Sequence, residues 1–134
     1  MSDEGSRRAE VFTRIWRDNL WLGAESRSGP GSGVERTVGF RAALEAWLEE
    51  ARPRVLYDAP CGDFHWMRLV RLPEGCRYIG ADIVPQMIEA LQAELGTERR
   101  RFVVTDIVED EPRRPTRGSA AKASSTCPWP TRRG

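Results

Sequence analysis

Three short apolar segments that each end in an aspartate constrain the fold of this chain more than any other feature. RVLYD, RYIGAD and RFVVTD occupy residues 54–58, 77–82 and 101–106, and their length and residue types predict buried strands. Between them we predict a short helix over residues 63–72 and a helix that starts at Pro85 and closes at Gly96. This alternation predicts an α/β fold with an open parallel sheet and right-handed crossovers.

Two more helices are predicted before the first strand. Residues 7–21 carry apolar side chains at helical spacing after Ser6, a suitable cap, and a second helix is expected from about residue 33 to Ala51, with Pro53 stopping it. Between them, residues 25–33 (ESRSGPGSG) contain four Gly or Pro and three Ser, which predicts a loop. The sequence leaves open whether this loop is a flexible linker or a lid over a ligand.

Charge and apolar content divide the chain near residue 110. Residues 1–110 carry 15 Arg against 19 Asp and Glu, whereas residues 111–134 carry six basic residues and one acid, and no Val, Leu, Ile, Met, Phe or Tyr follows Val108. We therefore expect a folded domain over residues 1–110 and a disordered, basic, Pro/Arg/Ser-rich tail over residues 111–134. The abrupt change in composition also suggests the hypothesis of a shifted reading frame, which the gene sequence would test.

Several classes of site and setting are disfavoured by composition. The three cysteines, Cys61, Cys76 and Cys127, are odd in number and lack C-x-x-C spacing, so a reduced, cytoplasmic setting is expected. His65 is the only histidine, and no metal site is expected. The formal net charge is +1 and no apolar targeting segment is present, so neither a membrane nor a nucleic-acid partner is expected.

The strand-end acids point to a nucleoside ligand. In open parallel sheets, ligands bind outside the carboxyl ends of the strands, where Asp58, Asp82 and Asp106 are expected. Gly62 allows a ligand to approach the first turn closely, and Asp82, twenty residues later, can accept hydrogen bonds from two ribose hydroxyls. Asp106 is placed to meet an exocyclic amine, and Ile83 and Ile107 offer apolar faces to a base.

A nicotinamide or flavin dinucleotide is the alternative ligand, and it fits less well. A pyrophosphate requires a G-x-G-x-x-G turn so that the backbone can approach two phosphates at a helix start. The segment Ala59-Pro60-Cys61 has no equivalent, and Pro60 lacks the N–H that would donate.

These residues resemble a known family. VLYDAPCGDFHWM, YIGADIVPQMIEAL and FVVTDI resemble the first three motifs of class I S-adenosylmethionine-dependent methyltransferases, and NLWLGAESRSGPGS is similar to the N-terminal segment of a bacterial branch. The resemblance covers about residues 12–110. It implies that Asp58, Ala59, Pro60, Cys61 and Gly62 wrap the methionine part of the cofactor, that Asp82 holds the ribose, and that Asp106 and Ile107 flank the adenine. The first motif departs from the family in having a single glycine.

The resemblance also implies an incomplete catalyst. Family members build a seven-stranded, Rossmann-like sheet, and their later strands supply most contacts to the methyl acceptor, so this chain is expected to form a partial sheet of about three strands. We name no catalytic residue, and the methyl acceptor stays unidentified. The alternative is a non-catalytic fragment or interaction module with a basic tail.

Overall fold

The structure, a computed structural model, describes residues 2–110. Three α-helices and three strands follow one another in the order α1, α2, β1, β2, α3 and β3. Their bounds are Asp3–Arg17 (α1), Val38–Ala51 (α2), Val55–Asp58 (β1), Arg77–Asp82 (β2), Pro85–Leu95 (α3) and Arg100–Val104 (β3). The tail predicted for residues 111–134 lies outside the described residues. Within the described part of the chain, no helix is long and apolar enough to cross a membrane.

The three strands form one parallel sheet in the order β1-β2-β3. Asp58 of β1 lies opposite Gly80, and Asp82 lies opposite Val104 of β3. The predicted α/β fold with a small parallel sheet is therefore confirmed. β1 has a neighbouring strand on one side only among residues 2–110.

Three aromatic rings form the centre of the core against the sheet. The centroid of Phe64 lies 5.2 Å from that of Tyr78 and 5.1 Å from that of Phe102, and the Tyr78 and Phe102 centroids are 5.9 Å apart. Tyr78 and Phe102 belong to neighbouring strands and are almost fully buried. Between them, Gly80 leaves room for the rings, because a Cβ there would lie about 3 Å from both. The absence of a side chain at Gly80 thus permits this packing.

The sequence located β2 and α3 well, because both have strong local signals. α3 begins at Pro85, whose missing N–H costs nothing in the first helical turn. It ends before Gly96, whose N–H donates to the Gln92 carbonyl at 3.0 Å. The buried side chains of α3 are Met87, Ile88 and Leu91, at the spacing that the sequence shows.

Other predicted bounds differ from the structure. α1 begins four residues before the predicted start, with Ser2 as its cap accepting a hydrogen bond from the Gly5 N–H at 3.0 Å. The helix predicted over residues 63–72 is reduced to a 3-10 turn at Met67–Leu69. A right-handed helix excludes the positive φ of 62° at Phe64, and the backbone is already extended at Val70. β3 ends at Val104, so Asp106 follows the strand by two residues.

The apolar face predicted for the second helix is largely exposed. In α2 only Leu48 is fully buried, while Val38 and Trp47 keep 55% and 39% of their surface exposed. A helix needs a sheet surface to cover its apolar face, and in residues 2–110 the sheet ends at β1. Residues 2–110 thus leave much of the apolar face of α2 uncovered.

Candidate functional site

The carboxyl ends of the three parallel strands meet at one edge of the sheet. Asp58 and Asp82 are the last residues of β1 and β2, and Asp106 follows the end of β3. The backbone joins these ends directly, because the Cys61 N–H donates to the Ala81 carbonyl and the Thr105 N–H donates to the Asp82 carbonyl. The three acids predicted from sequence therefore share one edge.

Asp82 is buried, and backbone amides hold both of its carboxylate oxygens. The Gly62 N–H donates to Oδ2 at 3.0 Å and the Val84 N–H donates to Oδ1 at 3.2 Å. Burial raises the pKa of Asp82, and these hydrogen bonds oppose that rise. Since a carboxylate oxygen can accept more than one hydrogen bond, Asp82 keeps acceptor capacity for a ligand.

Asp58 is bound to the aromatic core. The Tyr78 hydroxyl donates to its Oδ2 at 2.6 Å. Burial is the main reason that the pKa of Asp58 rises to about 6; the Tyr78 hydrogen bond opposes the rise, and the negative charge of Asp82 adds to it. The raised pKa of Asp58 makes its ionisation unfavourable for folding.

We expect Asp58→Asn to become more stable relative to the parent chain as pH rises. In the parent, the contribution of Asp58 to stability is complete below its ordinary pKa and is lost as pH rises through about 6. Asn cannot ionise, and its amide oxygen can still accept from Tyr78. The difference in unfolding free energy should change by about 2 kcal/mol in favour of the variant between about pH 4 and about pH 7. Urea unfolding across this range measures it, and a difference that does not depend on pH contradicts the prediction.

Asp106 is paired with an arginine from the first helix. Arg8 donates to its Oδ2 from Nε at 3.1 Å and from Nη2 at 2.8 Å, and the Val108 N–H donates to Oδ1 at 2.9 Å. The Arg8 hydrogen bonds are the main reason that the pKa of Asp106 falls below its usual range. Both oxygens of Asp106 thus already accept hydrogen bonds, whereas the sequence predicted a contact to a base amine.

A cavity of about 390 Å³ opens beside these acids. Seven of the nine predicted binding residues line it: Pro60, Cys61, Gly62, Asp82, Ile83, Asp106 and Ile107. The other two, Asp58 and Ala59, are not part of the lining. Its volume falls in the range of roughly 300–1,000 Å³ that is typical of small-molecule sites.

The loop of residues 25–33, here called the strap, is docked on the turn after β1. The strap donates hydrogen bonds to the Asp63 carboxylate in that turn. Ser26 Oγ lies 2.8 Å from both carboxylate oxygens, and the Arg27 N–H donates to Oδ2 at 2.9 Å. In return, the Asp63 N–H donates to Ser28 Oγ at 3.1 Å. The strap therefore forms one wall of the cavity through Arg27, Ser28 and Ser32.

Gly62 sits where the strap and the turn meet. Its φ of +59° lies in the left-handed region that favours glycine. A Cβ at this position would overlap the Ser28 hydroxyl. The one glycine of the first motif is thus required by its conformation and by the docking of the strap.

Cys61 does not provide a nucleophile. Its thiol is buried, and burial together with the nearby charge of Asp82 raises its pKa far above the ordinary value. A protonated thiol is a poor nucleophile. The structure describes Cys61 as a packing residue of the cavity wall.

Sequence reasoning missed the part of the site that α1 supplies. Arg8, Phe12, Ile15 and Trp16 all line the cavity, although the pattern of this helix predicts only an apolar face. Thr105 was missed as well: it lines the cavity, is 3% exposed, and its Oγ1 is buried without a hydrogen-bond partner in the described part of the chain. Only the position of Thr105 beside Asp106 could have drawn attention to it.

Comparisons with known proteins add no assignment to this geometry. Neither a protein-family model nor a curated protein matches the chain. In residues 2–110, no group of three or more His, Cys, Asp and Glu side chains is arranged to hold a metal ion.

Proposed function

We propose that this chain is the cofactor-binding part of a class I S-adenosylmethionine-dependent methyltransferase with a partial Rossmann-like fold. The proposal combines the resemblance of three sequence motifs with a cavity at the carboxyl edge of a parallel sheet, which is where such sheets bind ligands. The methyl acceptor stays unidentified.

The observation that carries the proposal is the placement of Asp82. Asp82 is 7% exposed and lines the cavity, and its carboxylate is fixed by two backbone amides rather than by a cation. A fixed carboxylate with remaining lone pairs suits neighbouring hydroxyls, such as those of a ribose. An acid at this position also holds the ribose in dinucleotide-binding folds, and it is the first turn, in which Pro60 lacks an N–H and only Gly62 is a glycine, that disfavours a dinucleotide.

The remaining cavity residues fit S-adenosylmethionine in size and polarity. Ile83, Val84 and Met87 offer apolar surface beside Asp82 for a purine ring. The buried Thr105 hydroxyl, which has no partner among residues 2–110, is a polar group that a bound ligand or an ordered water can satisfy. Asp106 is already engaged by Arg8, so its contact to the base requires sharing its oxygens.

The chain's own residues bind and orient the ligand. When bound, S-adenosylmethionine supplies a methyl group on a positively charged sulfur, which an acceptor nucleophile can take up. Asp82 would fix the ribose, the strap and α1 would cover the cavity, and catalysis would come mainly from proximity and orientation. No described side chain is assigned as a base, because the buried Cys61 thiol stays protonated and Asp58 lies outside the cavity lining.

Titration calorimetry of the full chain with S-adenosylmethionine tests the proposal. We expect micromolar binding that Asp82→Asn weakens about 100-fold, because the ribose hydroxyls lose charged hydrogen bonds worth roughly 1.5–3 kcal/mol each. Glu89→Gln is a matched control. Glu89 is exposed on α3 and does not line the cavity, so this substitution removes the same charge at a distance from the site.

Two results would contradict the proposal. The first is an absence of binding by a chain whose circular dichroism shows that it is folded. The second is equal weakening by Asp82→Asn and Glu89→Gln. Failure to bind, combined with salt-sensitive retention on a polyanion column, would instead favour an interaction module with a basic tail.

A further inference from the structure

Two arginines line the cavity, and acids already surround one of them. Arg8 pairs with Asp106 at 2.8 Å, with Glu109 at 3.1 Å and with Glu4 at 3.5 Å. Its Nε and both Nη groups are directed at these carboxylates. These carboxylates neutralise the charge of Arg8 and occupy its donors, so Arg8 is poorly suited to bind an anionic ligand.

Arg27 is the cavity arginine with donors still free. Its Nη1 donates to the carbonyls of Trp16 and Arg17 at 2.9 and 2.6 Å, which fixes the guanidinium at the C-terminal end of α1. Within residues 2–110, no hydrogen bond uses its Nε or Nη2, and no carboxylate lies within salt-bridge distance. A guanidinium carries five N–H donors, so three of them stay free.

No acidic side chain among residues 2–110 forms an ion pair with Arg27. Asp63 accepts the backbone N–H of Arg27 and is engaged by the strap serines, and Asp18 pairs with Arg17 at 3.0 Å. Asp18 feels the charge of Arg27, but only as the weakest of its attractive contacts. Arg27 also lines the cavity, and its guanidinium is held by the α1 carbonyls, so the strap wall carries a cation at a fixed place beside the cavity.

Building on the proposed function, we propose that Arg27 binds the carboxylate of the amino-acid end of the ligand. The cavity then has two polar recognition points of opposite kind, the Asp82 carboxylate for neutral hydroxyls and the Arg27 guanidinium for an anion. Planar guanidinium donors match the geometry of a carboxylate. The site accordingly selects an aminoacyl nucleoside over a simple nucleoside.

A pair of ligands that differ in this group tests the assignment. S-adenosylhomocysteine carries the carboxylate, and 5′-methylthioadenosine lacks the whole amino-acid end. We expect Arg27→Gln to weaken S-adenosylhomocysteine binding about 10- to 100-fold and to change methylthioadenosine binding less than twofold. Gln retains N–H donors for the α1 carbonyls, and Arg27→Lys should recover part of the affinity. Arg36→Gln is the control, since Arg36 is exposed just beyond the strap.

The outcomes separate this inference from the function on which it rests. If neither ligand binds the parent chain, the proposed function fails. If both bind and Arg27→Gln weakens both equally or neither, the function stands and the carboxylate assignment is wrong. Should Arg27→Gln not fold, the methyl ester of S-adenosylhomocysteine replaces the variant: the parent chain should bind it about 10- to 100-fold more weakly than the free acid, and equal affinities overturn the assignment.

Discussion

Gly62→Ala is expected to lose about 2–3 kcal/mol of unfolding free energy and, under the proposed function, to bind no S-adenosylmethionine at concentrations that saturate the parent chain. A left-handed backbone costs an alanine roughly 1–2 kcal/mol, and its Cβ would overlap the Ser28 hydroxyl. Relieving that overlap displaces either the strap or the turn whose N–H holds Asp82. Urea unfolding and titration calorimetry measure the two effects.

A glycine in the strap itself provides the control. Gly31 has no atom within 4 Å of the position that a Cβ would take, so Gly31→Ala should change stability by less than about 0.5 kcal/mol and leave binding intact. The steric explanation is wrong if the Gly31 and Gly62 variants behave alike.

Phe102→Ala is expected to cost about 3–5 kcal/mol, because deleting a buried aromatic ring removes its apolar burial and leaves a cavity. Phe102 is 5% exposed and contacts both Phe64 and Tyr78. Domains are stable by only about 5–15 kcal/mol, so this one change would bring the chain close to unfolding. Urea unfolding followed by circular dichroism measures the loss.

Phe40 offers a matched comparison. It is 59% exposed on α2 and makes one edge contact with Trp66 at 5.4 Å between centroids. Such an aromatic pair contributes roughly 0.5–1.5 kcal/mol. We therefore expect Phe40→Ala to lower the unfolding free energy by no more than about 1.5 kcal/mol. A Phe102 variant that is no less stable than the Phe40 variant would show that the three rings are not the centre of the core.

The sequence predicted those features that depend on local chemistry. A short apolar run that ends in an acid locates β2, and Pro85 with Gly96 brackets α3, because these signals act within a few residues. The parallel order of the strands follows from their alternation with helices. The common edge of Asp58 and Asp82 is a direct consequence of that order.

The rest of the site depends on contacts between distant parts of the chain. Ser26 and Asp63 are 37 positions apart, and Arg8 and Asp106 are 98 apart. No periodicity or spacing encodes such pairs, so the docked strap and the engaged Asp106 were not predictable from one sequence. The same limit applies to α2, whose sequence pattern predicts a buried apolar face although only Leu48 is fully buried.

The contact between the two ends of residues 2–110 bears on the order in which the protein assembles. The cap residue of α1, Ser2, bonds to Glu109, and Arg8 reaches Asp106. During synthesis the chain leaves the ribosome from its amino end, so α1 emerges long before these partners exist. The contacts of Ser2 and Arg8 with Asp106 and Glu109 can therefore form only after translation has passed β3, whereas those of α1 with Arg27 can form earlier.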